Sequence, residues 1–177
     1  MIRVRRMTAD DLPQVLEIER ICFSEPWSED VYRATLLLPY ADYYVAEVDD
    51  SPAPGKTMII GTCGVRRIAG CGEITNVAVL PEHRGFGIAG RMLAVLIAEA
   101  ARKETSEFTL EVRAGNIPAI RTYEKLGFRT EGCRPGFYEA PKEDALIMWR
   151  RPHAVTDTES DTEDGGAETA PAGSDFR

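Results

Sequence analysis

The chain has 177 residues, 44% hydrophobic and 28% charged, with a formal net charge of -8, which suits one domain with a real core and is short for two. From His153 onward seven acidic residues stand against the single Arg177, so that stretch carries -6 and residues 1–152 carry only -2. The charge belongs mostly to a tail, and the near-neutral remainder lacks the basic excess of a dedicated nucleic-acid binder.

Ile2, Val4 and Arg6 alternate with Arg3, Arg5 and Met7, predicting a short first strand. Thr8-Ala-Asp-Asp11 is a variant capping box ahead of Leu12, Val15, Leu16, Ile18 and Ile21, which recur at helical spacing. Pro26-Trp27-Ser28 breaks that helix. Ser28, Glu29 and Asp30 open a second, running through Val31, Leu36 and Leu37 to a stop at Pro39. Tyr43–Val48 reads as a strand and Asp49–Lys56 as a surface turn. Met58–Ile68 and Gly72–Leu80 are strands joined as a hairpin around Gly70–Gly72.

Gly87–Arg102 is a long amphipathic helix with Met92, Leu93, Leu96, Ile97 and Ala100 as its apolar stripe. In the next strand Phe108, Leu110 and Val112 share one face, while Thr109, Glu111 and Arg113 share the other. Asn116 caps a further helix with Pro118 in its first turn and Gly127 at its end. Phe128–Tyr138 and Asp144–Trp149 close the chain as an antiparallel pair. The order is β-α-α-β-β-β-α-β-α-β-β, an α/β (α+β) arrangement with helices inserted into a largely antiparallel mixed sheet. The expected domain spans 1–152. Residues 153–177, acidic and almost free of apolar side chains, are expected to be disordered.

Several function classes drop out. The longest apolar helical run, Met92–Ala98, is far short of the roughly 20 residues of a membrane helix, and no apolar stretch follows the N-terminal arginines as in a secretory signal. Cys22, Cys63, Cys71 and Cys133 form no C-x-x-C pair and are expected to be buried free thiols of a cytoplasmic protein. With only His83 and His153, a multi-histidine metal centre or a standard Ser-His-Asp hydrolase has little to build from, and no metal is expected.

The most informative segment is Val77-Ala-Val-Leu-Pro-Glu-His-Arg-Gly-Phe-Gly-Ile-Ala-Gly-Arg-Met-Leu93, a strand that passes through a glycine-rich turn straight into a helix. A helix start leaves several N–H groups without acceptors at the positive end of the dipole, which suits a pyrophosphate. Gly85, Gly87 and Gly90 let the backbone approach phosphate oxygens, and Arg84 can add a charge-assisted contact. The P-loop pattern is absent. Gly85-Phe-Gly-Ile-Ala-Gly90 matches the dinucleotide pattern G-x-G-x-x-G literally, but it does not sit in an early βαβ unit. A glycine-rich helix start with no ligand is the plainer alternative.

Arg84-Gly-Phe-Gly-Ile-Ala89 resembles the R/Q-x-x-G-x-G/A acetyl-CoA signature of the GNAT N-acetyltransferase superfamily. Three further blocks resemble its ribosomal-protein-alanine (RimI-type) branch: Leu110–Phe128, with L-E-V-R, Asn116, Tyr123 and G-F; Glu143-Asp-Ala-Leu-Ile-Met148; and Phe23-Ser-Glu-Pro-Trp-Ser28. The resemblance covers roughly residues 1–151. It implies the GNAT fold, acetyl-CoA as cosubstrate, and a protein N-terminus as acceptor, above all the N-terminal alanine of a small-subunit ribosomal protein. A GNAT enzyme acting on lysine or a small amine, and a non-catalytic acyl-CoA-binding module, are the alternatives. A monomer or weak oligomer with no nucleic-acid or membrane partner is expected.

The same resemblance implies roles residue by residue. The backbone of Val77, Ala78 and Val79 would meet the pantetheine arm and polarise the thioester carbonyl, and Arg84, Gly85, Phe86, Gly87, Ile88, Ala89 and Gly90 would hold the pyrophosphate. Glu111 would be the general base; spacing alone favours a half-exposed strand glutamate paired with Arg113, and the resemblance reverses that preference. Tyr123 would donate a proton to the departing thiolate, or simply pack with Ile120 and Leu126. Asn116 can cap its helix and touch the pantetheine amides at once. Trp27, Arg134 and Tyr138 would flank the peptide, and Phe137 departs from the R-x-x-Y-Y pattern usual there. Glu25 could attract a basic peptide or lie on a solvated loop. No cysteine has a histidine near it in sequence, so direct transfer in a ternary complex is expected.

Overall fold

The computed structural model describes residues 1–49 and 57–152. Most of the expected Asp49–Lys56 turn and all of the acidic tail 153–177 lie outside the described residues. The elements follow the expected order: β1 (Ile2–Arg6), α1 (Leu12–Cys22), α2 (Glu29–Leu36), β2 (Ala41–Asp49), β3 (Thr57–Ile68), β4 (Cys71–Val79), α3 (Ile88–Ala101), β5 (Glu107–Arg113), α4 (Ile117–Lys125), β6 (Arg129–Glu139) and β7 (Lys142–Arg150).

Local chemistry accounts for most boundaries. The Asp11 carboxylate accepts from the Thr8 N–H at 2.8 Å, the return arm of the capping box. Ser28 Oγ accepts from the Val31 N–H at 3.4 Å and Asn116 Oδ1 from the Ala119 N–H at 3.3 Å, so both act as N-caps. Gly127, at φ +87°, follows the end of α4. The hairpin between β3 and β4 turns at Ala69 and Gly70, both at positive φ, with Ile68 paired to Cys71. Gly72 lies inside β4 rather than in the turn, and a Cβ there would meet the Phe108 ring at 2.8 Å.

The strands form one seven-stranded sheet in the order β1-β2-β3-β4-β5-β7-β6, antiparallel except where β4 meets β5. The α3 stripe of Met92, Leu93, Leu96, Ile97 and Ala100 is buried as expected, and it joins Phe108, Leu110, Val112 and Tyr123 in the core on one face. Leu12, Val15, Ile18 and Tyr32 pack on the other face beneath α1 and α2.

Corrections fall on the smaller helices. Ile21 is exposed, and the buried positions of α1 are Leu12, Val15, Ile18 and the charged Glu19. In α2 the sheet takes Tyr32 and Thr35, while Val31 and Leu37 face outward and the helix stops at Leu36, before Pro39 acts. An aromatic ring with a polar tip fills a deep site better than the short apolar chains around it. The cysteines are free, but only Cys63 is buried; Cys133 is exposed, and Cys22 and Cys71 lie between.

Three carboxylates are buried with cations around them. Asp42 on β2 receives Arg67 Nε and Lys103 Nζ, each at 2.8 Å, and Arg6 at 2.5 Å. Glu47 holds Arg3 and Arg5, and Asp11 takes the Arg5 guanidinium in a two-pronged contact at 2.8 Å on each oxygen. Burial alone would raise all three carboxyls. The neighbouring cations outweigh it and hold each below the usual carboxylate range.

Candidate active site

The site grows from an interrupted strand pairing. β4 and β5 run parallel but pair only over Cys71–Glu73 against Glu107–Thr109. Beyond that point β4 stays with β3 as far as Val79, and β5 stays with β7 as far as Arg113. The two strands diverge and a wedge opens through the sheet. Thr75 is an extra residue in β4, between the pairs Gly64↔Asn76 and Val65↔Ile74, and this bulge bends the strand where the wedge begins.

On the α3–α4 side the wedge opens into a cavity of ≈ 370 Å³, lined among others by Val77, Ala78, Val79, Arg84, Gly85, Ala89, Asn116 and Tyr123. Gly85 and Gly87 sit at φ +83° and +73°, and no atom lies within 4 Å of a Cβ built on either. Their backbone conformation, not crowding, calls for glycine. The N–H groups of Ile88, Ala89 and Gly90 are in the first helical turn and have no intrahelical acceptor. Space, free donors and a helix N-terminus thus fit a pyrophosphate with an extended arm. Gly87→Ala should cost about 1–2 kcal/mol, the penalty of a left-handed alanine, measured by urea unfolding; an unchanged midpoint would remove glycine's conformational role.

Individual residues differ in how they contribute. Arg84 Nε donates to the Val79 carbonyl at 2.9 Å, pinning the turn to the end of β4, and its guanidinium still lines the cavity. The Ile88 side chain is buried in the core, so only its backbone faces the turn, while Phe86 is exposed. Asn116 both caps α4 and lines the cavity. Tyr123 packs edge-on against Phe128 in the core and also lines the cavity. Burial, reinforced by Tyr138, pushes its phenol up, which keeps the proton on.

On the opposite face a cleft of ≈ 570 Å³ is lined by residues that include Trp27, Glu73, Thr75, Glu111, Arg134, Phe137, Tyr138 and Trp149. Phe108, Leu110 and Val112 point into the α3-side core, so Thr109 and Glu111 face this cleft. The Glu111 carboxylate pairs with Arg134 Nε at 3.2 Å, not with Arg113, which reaches Glu143 at 3.2 Å and stacks on the Tyr138 ring at 4.1 Å. Burial and the neighbouring Glu111 push the Tyr138 phenol up. Trp27, Arg134 and Tyr138 are brought together as expected. Glu25 is exposed, in keeping with a solvated loop.

The sequence reading missed a polar network that reaches this cleft through Thr75. Glu19, Tyr32, Asn76, Thr75 and Tyr43 form a connected hydrogen-bonded set beneath Trp27. The one signal for Glu19 was its place one residue after the buried Ile18, on the inward edge of the helix. Among the described residues no group of three or more His, Cys, Asp or Glu is placed to hold a metal, and no helix is long and apolar enough to cross a membrane.

The profile of the Acetyltransferase (GNAT) family matches residues 12–128. A protein of Bacillus subtilis (strain 168), named provisionally as a ribosomal protein bS18-alanine N-acetyltransferase, is 37% identical over 147 residues, covering 82% of this chain and 93% of its own length. The crystal structure of the ribosomal-protein-S18-alanine N-acetyltransferase from Escherichia coli superposes with a TM-score of 0.73 at 26% identity, covering 88% of this chain and 98% of that one. NAA60 of Arabidopsis thaliana, solved in complex with acetyl-CoA, shares the fold with a TM-score of 0.74 at 19% identity, covering 84% and 97%. The four sequence blocks, the split sheet and these likenesses agree: the chain belongs to the GNAT family of acetyltransferases, with its similarity running to the ribosomal-protein-alanine branch.

Proposed function

We propose that this chain transfers an acetyl group from acetyl-CoA to the free α-amino group of a protein N-terminus, with the N-terminal alanine of a small-subunit ribosomal protein as the leading acceptor. The observation that carries this reading is the pair of spaces beside the β4–β5 wedge, one lined by Tyr123 and the other by Glu111. The named activities of the Bacillus and Escherichia relatives support the acceptor. The complex of the Arabidopsis protein supports acetyl-CoA as cosubstrate.

Bound acetyl-CoA supplies an acyl thioester, activated for attack by an amine. The chain supplies the rest. Backbone along Val77–Val79 faces the cavity and orients the acyl end, while the turn from Arg84 to Gly90 anchors the phosphates. Glu111 accepts the proton that the amine sheds, directly or through a water, and Tyr123 gives its phenolic proton to the departing sulfur. An α-amine with a pKa of about 7.7–8.0 sheds that proton readily near neutrality, whereas a lysine near 10.4 costs about 3.5 kcal/mol more at 1.36 kcal/mol per unit. One carboxylate shared with Arg134 is matched to the easier task. Direct transfer with both substrates bound belongs to this reading, with acetyl-CoA and peptide taken up in the two separate spaces. Cys22, the thiol lining the acyl-side cavity, is pushed up by burial, away from nucleophilic thiolate. A monomer or weakly associating protein of the cytoplasm, where ribosomal proteins are made, completes the reading. The residue 1–152 domain with a dispensable tail belongs to it too.

Thiol release from acetyl-CoA provides the test, with an Ala-starting peptide, the same peptide N-terminally blocked, and a blocked peptide bearing one lysine. Turnover is expected on the first alone. Activity that survived blocking would replace this acceptor with a lysine or small amine, and no turnover on any acceptor would favour a non-catalytic acyl-CoA-binding module.

A further inference from the structure

Glu19 is 2% exposed and makes no ion pair with any Lys, Arg or His among the described residues. Three neutral donors surround it instead. Oε1 accepts from the Tyr32 hydroxyl at 2.7 Å and from Asn76 Nδ2 at 3.1 Å, and Oε2 accepts from the Trp27 backbone N–H at 3.1 Å. Asn76 Nδ2 also donates to the Tyr32 oxygen at 2.7 Å, which leaves the Tyr32 proton for Glu19. Burial and the facing carboxylate push the Tyr32 phenol up.

A buried carboxylate without a cationic partner is an expensive way to fill a core, and an apolar side chain of similar size is often more stable. What the carboxylate provides is a set of acceptor positions with no donor among them. Glutamine is the same size but presents an NH2 on one side, and all three of the groups around Glu19 donate. The two oxygens also reach different walls of the site. Oε2 holds the backbone of the loop that carries Trp27, whose ring packs on Tyr32 and Tyr43 at centroid distances of 5.5 and 6.3 Å and lines the peptide-side cleft. Oε1 holds Asn76, next to the Thr75 bulge and immediately before Val77–Val79 of the acyl-side cavity. Asn76 Oδ1 in turn accepts from Thr75, whose hydroxyl meets Tyr43 at 3.1 Å.

We infer that Glu19 is a positioning residue for the acceptor peptide: its carboxylate ties the Trp27 loop to the β4 bulge and so sets the width of the peptide-side cleft against the acyl end of the other cavity. This inference rests on the peptide-acetylating reading above. Glu19 touches neither substrate and acts through Trp27 and Asn76. Glu19→Gln loses an acceptor on one side whichever way the amide turns, while shape and volume are kept. The pyrophosphate turn is tied to β4 through Arg84 rather than through Glu19, so acetyl-CoA binding is expected to change little.

The experiment measures kcat and KM for an Ala-starting peptide at saturating acetyl-CoA, KM for acetyl-CoA, and Tm, for the parent, Glu19→Gln and Tyr32→Phe. Glu19→Gln is expected to raise peptide KM tenfold or more with acetyl-CoA KM within twofold. Tyr32→Phe leaves the Trp27 clamp and should change peptide KM less than threefold. A lowered Tm with unchanged peptide KM would overturn the inference, as would equal KM effects of the two variants. A second readout needs no turnover. In a Trp149→Phe background Trp27 is the only tryptophan, and its emission should shift to the red in Glu19→Gln; an unshifted spectrum overturns the clamp. A parent protein without peptide turnover would sink the function above, while this spectrum would still decide the role of Glu19.

Discussion

Tyr123→Phe should lower kcat for peptide acetylation by a factor of about 10² to 10⁴, the usual yield of a positioned proton donor, while leaving stability within about 0.5 kcal/mol of the parent. The second half makes the first meaningful. The ring supplies the packing, against Phe128 and the α3-side core, and phenylalanine keeps it. Only the hydroxyl facing the cavity is lost. Because burial raises the phenol above its ordinary value near 10, Tyr123 stays protonated at pH values where an exposed tyrosine would begin to ionise. The parent rate should therefore show no alkaline fall from this group below about pH 10. Glu111→Gln should produce a loss of similar size, now with Arg134 released. If both variants turned over peptide at the parent rate, proton transfer would have to be reassigned.

Asp42→Ala should be strongly destabilising, on the order of 3 kcal/mol, because it strands cations around a buried position. Arg67 suffers most, its side chain being only 15% exposed; Arg6 and Lys103 can turn to water. The same carboxylates set the acid response. Asp42, Glu47 and Asp11 all have folded values below their ordinary ones. The stability they contribute is therefore complete above roughly pH 4, the unfolded value, and is lost as pH falls through the lower folded values. Urea midpoints at pH 7 and pH 3 should fall steeply with acid for the parent and less steeply for Asp42→Ala. An equal slope would mean that Asp42 is not among the groups that govern acid unfolding.

The parts of this molecule legible in the sequence are those fixed by neighbours along the chain. Ser28 and Asn116 announce their helices because a cap bonds three residues on, and Gly85 and Gly87 announce a turn because φ is a local property. The α3 stripe and the alternation of Phe108, Leu110 and Val112 are legible for the same reason, since each is a period of one element. What escaped is non-local. Nothing in Cys71–Val79 or Glu107–Arg113 says that their pairing stops after three residues. Nothing near Glu111 says that its partner is Arg134 rather than Arg113. The burial of Glu19, Asp42 and Glu47 has no local signature, because burial of a carboxylate is decided by donors brought from other elements. The side-chain roles at Glu111 and Tyr123 came from family resemblance; spacing alone left both open.

The wedge between β4 and β5 has a mechanical meaning as well. Three residue pairs stitch the antiparallel unit β1-β2-β3-β4 to the three-stranded unit β5-β7-β6. The sheet is two panels with a short seam, and the seam lies at the closed end of the opening. A molecule seated in the wedge touches both panels, so occupying it braces the sheet across its least connected line. Binding there would add contacts across the short seam and should stiffen the sheet along it.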